Sequence, residues 1–422
     1  MARSVTHLSE TCRSPVGALS ETCPSHPVRV ARSLDPVERP PEHVYLDHAA
    51  STLTRPEVVE AMLPWLTDHP GNPSGAHRLA RDARRAIDDA RDAVAALVGS
   101  DPGGVVFTSG GTEADNLAVD GTVGRGPGRG TGVAVCAAAE HPAVLEPVQE
   151  SGGIVVPTDA GGRIDLDALA ETLDAVADIG LVSVMLANNE TGVVNPVVEV
   201  AALVAERAPG AVFHTDAVQG TAWLDLAERC RGAHLVSITG HKFGGPKGAG
   251  ALLVVGDVSL APMLRGGGQE RARRSGTQNV PAIVGLGRAA DLVLVDREVT
   301  AVRVAEMRDR LEDGLVAAVP GAHRTVPEGT DRTPAVAHVC FDGVESEALL
   351  FLLERVGLYA SAASSCASGA QEPSHVLAAM GIDRATAGGS LRLSLGRTTT
   401  DADIDHALAV IPTAVSRLMS YA

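Results

Sequence analysis

Of the 35 lysines and arginines in this 422-residue sequence, only two are lysines, Lys242 and Lys247. Arginine replaces lysine well as a surface charge, but it forms no imine at ordinary pH. Two lysines within six residues therefore mark a place for amine chemistry, against the plainer alternative that both survive as surface charges. Aromatics are also scarce, at 2%, so a flat ligand ring that needs a stacking partner has histidine to turn to. Basic charge is in deficit: the net charge is −17 and the pI is near 5.2. Such a surface repels a phosphodiester backbone, and no direct nucleic acid binding is expected. No apolar run reaches the roughly 18 residues of a membrane span, and Met1–Glu10 is polar, without the apolar core of a secretory signal. Membrane association is not expected. Six cysteines stand apart at 12, 23, 136, 230, 340 and 366, with no CxxC pair and no metal-ligand spacing. That pattern argues against a disulfide framework and a metal site, and for a reducing cytoplasm.

What is present is an ordered alternation. Residues 1–42 carry prolines and a near-repeat, Leu8–Cys12 and Leu19–Cys23, with no hydrophobic period; they read as a disordered extension whose two cysteines are more simply inert than reactive. Val44–Leu46 reads as a short strand, and Gly75–Val98 as an amphipathic helix stopped by Gly99. Seven apolar runs follow, separated by helical patterns: Val105–Phe107, Gly132–Ala137, Ile154–Val156, Leu181–Leu186, Ala211–His214, Leu235–Ile238 and Ala251–Val255. Nearly continuous apolar strands between helices predict an α/β fold with a mostly parallel seven-stranded sheet covered on both faces. From about residue 300 the pattern becomes helix (Val302–Val319), strand (Ala335–Phe341), helix (Glu345–Arg355), a loop around Cys366, strand (Ser390–Leu395) and a last helix. The expected division is a large domain over 43–300 and a smaller α+β domain over 301–422, to which the first residues after 42 also contribute.

Ligands of open α/β sheets sit beyond the carboxyl ends of the strands, and the residues there are telling. Phe107 is followed by Thr-Ser-Gly110-Gly111-Thr112-Glu-Ala-Asp, small residues opening a helix, as an anion cup requires; an ordinary strand-to-helix turn would look the same. Glu140-His141 follows the next strand, and Asn188-Asn189-Glu190 comes after Leu186. Asp216 and Gln219 follow Phe213, and an acid there could keep a ring nitrogen protonated. Thr239-Gly-His241-Lys242 leaves the strand ending at Ile238 and enters a glycine-rich loop. A phosphate cup, an acid for a ring nitrogen, a histidine for stacking and a lysine amine together meet the needs of pyridoxal 5′-phosphate (PLP).

With these motifs the sequence resembles the NifS/IscS-like cysteine desulfurases among the class V, fold type I PLP enzymes, over about Tyr45 to Ile404. The motifs that carry the likeness include Tyr45-Leu-Asp-His-Ala-Ala50, Ser109-Gly-Gly-Thr-Glu113, Glu140-His141, Asn188-Asn-Glu190, Asp216-Ala-Val-Gln219, Gly240-His-Lys242, Gly266-Gly-Gly-Gln-Glu270, Arg274-Ser-Gly-Thr277, Ser365-Cys366 and Arg392-Leu-Ser-Leu-Gly-Arg397. The resemblance implies that Lys242 binds the cofactor covalently, His141 stacks on its ring, Asp216 meets the ring nitrogen and Gln219 the ring oxygen. It implies that Gly111, Thr112, Thr239 and His241 hold the phosphate, with Thr277 reaching it from the neighbouring subunit of a homodimer. Asn189 and Arg392 would orient the carboxylate of L-cysteine, a planar guanidinium suiting two parallel bonds. Lys242 would move the α-proton. Cys366, as thiolate, would take the sulfur as a persulfide, releasing alanine, and pass it to an acceptor protein. The run Ala360–Ala370, nearly all small residues, suits a mobile carrier loop.

Two departures stand out. Thr239 replaces a common serine but keeps the hydroxyl. The sequence stops soon after Tyr421, where iron–sulfur cluster members carry a longer scaffold-docking tail. Delivery to iron–sulfur assembly, to tRNA thiolation, to DNA phosphorothioation or to a metabolite stays open. Other readings are a selenocysteine lyase, another class V enzyme such as an aminotransferase or epimerase, and a PLP-bound regulator without turnover.

Overall fold

The computed structural model describes residues 43–123, 130–362 and 374–420. The expectations for residues 1–42, Cys12, Cys23 and Cys366 lie outside the described residues. In chain order the first elements are β1 (Val44–Tyr45), α1 (Pro56–Thr67), α2 (Arg78–Ala96), β2 (Val105–Thr108), α3 (Gly111–Val123) and β3 (Val133–Ala137). Next come α4 (Pro142–Glu150), β4 (Ile154–Val156), α5 (Leu166–Ala175), β5 (Ile179–Ser183), α6 (Val197–Arg207) and β6 (Val212–Asp216). Then follow α7 (Leu226–Arg229), β7 (Leu235–Thr239), β8 (Gly250–Val254), α8 (Val280–Ala318), β9 (Ala322–Arg324) and β10 (Val336–Phe341). The last are α9 (Ser346–Glu354), β11 (Leu358–Tyr359), α10 (His375–Ala379), α11 (Arg384–Ala387), β12 (Ser390–Ser394) and α12 (Asp401–Met419).

The central sheet has seven strands in the order β2-β8-β7-β6-β5-β3-β4. The pairs from β7 through β4 are parallel, and β8 runs antiparallel to both β7 and β2. Every residue of β2, β7 and β8 is buried, as a sheet covered on both faces requires. The expected mostly parallel seven-stranded sheet is therefore what forms.

α2 shows how the pattern sets an element. Ala80, Ala83, Ile87, Ala90 and Val94 recur at three- and four-residue steps, and all are buried. The helix begins later than the Gly75 expected from periodicity, because His77 caps it, its Nδ1 accepting from Ala80 N at 3.3 Å. Gly99, at φ 64°, ends it.

α8 corrects an expectation. It runs unbroken from Val280 to Ala318, not from Val302, and so passes straight through residue 300. Its early glycines look like breakers but serve close packing: a Cβ on Gly287 would lie 2.6 Å from Ala90 Cα of α2. The first half of α8 belongs to the core under the large sheet, up to Val293. From Val304 on it joins a second core with Leu46, β10, β12, α9 and α12. That second core lies on the antiparallel sheet β12-β10-β9.

Candidate active site

The carboxyl ends of β2, β3, β6 and β7 open on one side of the sheet, and the segment Asp47–Ser51 lies across them. Lys242 stands in the tight turn after β7. Its Nζ donates to Ala49 O at 2.5 Å and to Ala50 O at 3.0 Å. Gln219, just past β6, donates from Nε2 to the same Ala49 O at 2.9 Å. Ser51 Oγ meets His241 Nδ1 at 3.3 Å. One carbonyl thus gathers the lysine amine and the glutamine amide from two strand ends.

Asp216 closes β6 and is 5% exposed. Its Oδ1 accepts from Val218 N at 2.8 Å, the one hydrogen bond it takes among the described residues. Burial pushes its carboxyl up to about 6, against the pull of Val218 N–H and the Lys242 charge. A protonated ring nitrogen would draw it back down. His141 caps α4, Nδ1 accepting from Ala143 N at 3.1 Å. Burial, then the Lys242 and His375 charges, lower its imidazole to about 4, so it presents a neutral ring. Burial and the two lysines likewise bring His241 to about 4.

The cup lies between β2 and α3. Thr239 is buried and its hydroxyl donates to Ala249 O at 3.2 Å. The helix α3 brings the free N–H groups of its first turn to Gly111 and Thr112. Backbones approach so closely here that a Cβ on Gly250 would fall 2.8 Å from Gly110 C and Ile238 O. These donors suit a phosphate, and an acid, a neutral imidazole and an amine surround the space beside it. The residues present fit PLP.

Arg392, on β12, comes from the second core. Its Nη1 donates to Asn189 O at 3.0 Å and its Nη2 to Asp47 Oδ1 at 2.8 Å; its Nε is buried without a partner among the described residues. Asp47 and Ala49 stand two residues apart, so one short segment holds both the guanidinium and the amine. Ser361 exchanges backbone hydrogen bonds with Arg392, at 3.2 and 2.8 Å. Residues 363–373, Cys366 among them, lie outside the described residues. Ser374, the next described residue, donates from its hydroxyl to Glu190 Oε2 at 2.5 Å. Thr277 is exposed, and no hydrogen bond among the described residues ties it to the cup.

Sequence reasoning passed over a buried layer under this site. Asp115 and Glu140 are fully buried, and both carboxyls are pushed well above the usual range, first by burial. Asp216 adds to each, a like charge nearby. Glu140 Oε1 accepts from Met185 N at 2.6 Å. His214 bridges Ser183 and Ser237, at 2.8 and 2.9 Å. Burial lowers it to about 3, so its 3.7 Å approach to Asp115 is no ion pair. No sequence pattern marks this layer: Asp115 stands between the polar Glu113 and Asn116, and His214 leads straight into Thr215 and Asp216.

The model of the aminotransferase class-V family matches residues 44–407. A cysteine desulfurase of Cereibacter sphaeroides is 45% identical over 89% of this chain and 97% of its own. The cysteine desulfurase NifS of Azotobacter vinelandii is 41% identical over 89% of this chain and 93% of its own. A solved NifS-like protein of Rickettsia africae superposes with a TM-score of 0.80 at 30% identity, over 90% of this chain and 99% of that one.

Proposed function

This chain belongs to the class-V aminotransferase family and within it to the cysteine desulfurases, and from that premise we propose how its own residues take sulfur from L-cysteine with PLP as cofactor. The observation that carries the reading is the shared Ala49 carbonyl, which brings Lys242 and Gln219 together two residues from the Asp47 that holds Arg392.

Lys242 would hold PLP, with Asp216 to meet its ring nitrogen, His141 to stack on its ring and Gln219 to meet its ring oxygen. Gly111, Thr112, Thr239 and His241 would hold the phosphate, joined by Thr277 of a second copy in a homodimer. When bound, PLP supplies the electron sink for the pairs released at Cα and Cβ of the substrate. Arg392 and Asn189 orient the substrate carboxylate. Lys242 would remove the Cα proton of the substrate at Nζ and return a proton to carbon. The Cys366 thiolate attacks the substrate sulfur. The S–S bond forms as the Cβ–S bond breaks, and protonation at carbon yields alanine. Cys366 is left as a persulfide for a sulfur-acceptor protein.

Among the described residues no helix is long and apolar enough to cross a membrane, and Cys136, Cys230 and Cys340 are buried and unpaired. Both fit the proposed reducing cytoplasm.

Alanine release from L-cysteine in the presence of a thiol reductant tests the reading. Lys242→Ala is expected to abolish it. Cys366→Ser is expected to lose persulfide formation while still binding cysteine. Full turnover by Cys366→Ser would remove that residue as acceptor, and faster alanine release from selenocysteine would favour the selenocysteine reading.

A further inference from the structure

Residues 264–279 form a loop pinned by several side-chain hydrogen bonds, which surround one exposed hydroxyl. Three consecutive non-glycine residues, Glu270, Arg271 and Ala272, take left-handed φ values of 47°, 55° and 63°, a conformation that L side chains avoid. It persists because the surroundings hold it. Arg91 of α2 grips Glu270 through both carboxylate oxygens, at 3.0 and 3.2 Å, with both side chains buried. Phe107 N of β2 donates to Glu270 Oε2 at 3.1 Å, and Gln278 Nε2 donates to Oε1 at 2.5 Å. Four residues on from Glu270, Arg274 forms a two-pronged pair with Glu113, at 2.8 and 3.3 Å. Glu113 stands in the first turn of α3 and also accepts from Ser109 N at 2.8 Å, so this pin is fixed to the phosphate cup of the same chain. Gly276 N donates to Gln269 Oε1 at 2.9 Å.

Thr277 lies between the Arg274 pin and the Gln278 pin. It is exposed, and among the described residues its hydroxyl has no partner. A strained turn locked by a buried ion pair, ending in an unused exposed hydroxyl, fits a group presented to something outside the chain. We propose that Glu270 and Arg274 are positioning residues that set Thr277 for the cofactor phosphate bound in a second copy, so that each phosphate cup, through Glu113, braces the residue it lends. This rests on the reading of Thr277 as a residue lent across a homodimer.

Mixed dimers separate the two. One chain carries Lys242→Ala, so only its partner holds lysine-bound cofactor, and release of that cofactor is followed by absorbance. Arg274→Gln is placed either on the Lys242→Ala chain or on the cofactor-holding chain, with Thr277→Ala in the same two arrangements. Arg274 is partly exposed, and Arg274→Lys, which keeps the charge, is expected to restore part of the effect. Both changes are expected to speed release roughly three- to tenfold, one hydrogen bond's worth, only from the Lys242→Ala chain. If Thr277→Ala acts from that chain but Arg274→Gln acts from the cofactor-holding chain or has no effect, the positioning role is overturned and the lent threonine stands. If Thr277→Ala acts from its own chain or not at all, the lent threonine falls, and the positioning role falls with it.

Discussion

Asp115, Glu140 and Asp216 are three buried carboxylates; burial raises each of them, Asp216 raises the other two further, and Glu140 adds to Asp115. Three buried negative charges would be costly, and protonation is the way out. Asp115 and Glu140 are held well above the usual range, first by burial, which favours their protonated forms; Asp216, at about 6 and facing Lys242, is the one able to hold a charge against a ring nitrogen. Asp216→Asn removes that charge and should slow alanine release on the order of a hundredfold or more, whereas Asp115→Asn, replacing one neutral group with another of its shape, should change it far less. Comparable losses from both would mean that Asp115 is ionised. Glu190 offers a pH test. Burial pushes it up to about 7, against the pull of Ser374 and Arg392. A raised carboxyl leaves the folded chain with more bound protons than the unfolded one between its ordinary value near 4.5 and about 7. Its contribution to stability therefore falls as pH rises through that window and is flat above it. Glu190→Gln lacks this slope. Melting of the apoprotein should favour the variant, relative to the parent, by a few degrees more at pH 8 than at pH 5; a gap independent of pH would contradict the shift.

At the scale of elements, the cup depends on backbones rather than side chains. β8 inserts antiparallel between β2 and β7, and its first residue, Gly250, pairs with both Thr108 and Thr239. Gly250→Ala would push a methyl group into Gly110 and Ile238, all backbone. It is expected to cost about 1–3 kcal/mol and to weaken PLP retention together with stability, measured by melting and by cofactor titration. Unchanged retention would show that the cup tolerates the shift. Periodicity located the strands of the central sheet, α2, β10, β12 and α9, but it gave no sign of α1, β9, β11, α10 or α11 and missed two kinds of detail. Ends were displaced where a side chain rather than the pattern decides, as at the His77 cap. The start of α8 was missed: Gly285 and Gly287 have low helix propensity, yet they let α8 lie against α1 and α2, which only the partner helices reveal.

Across the whole molecule, the site joins residues distant in sequence. Lys242, Asp216 and His141 could be proposed together from sequence because strand ends of one sheet converge. The Asp47–Ala50 segment stands in the sequence as a motif without a visible task; that it ties Lys242, Gln219 and Arg392 shows only when residues of two cores are seen gripping it. The buried acids were missed because nothing in a linear pattern says which polar residues meet under a ring. The central claim is that the amine at 242 carries the cofactor, and the scarcity of lysine makes it directly testable. Borohydride reduction of the PLP-loaded protein, followed by peptide mass spectrometry, is predicted to fix the cofactor on Lys242. Label found on Lys247, or on neither lysine, would contradict the account.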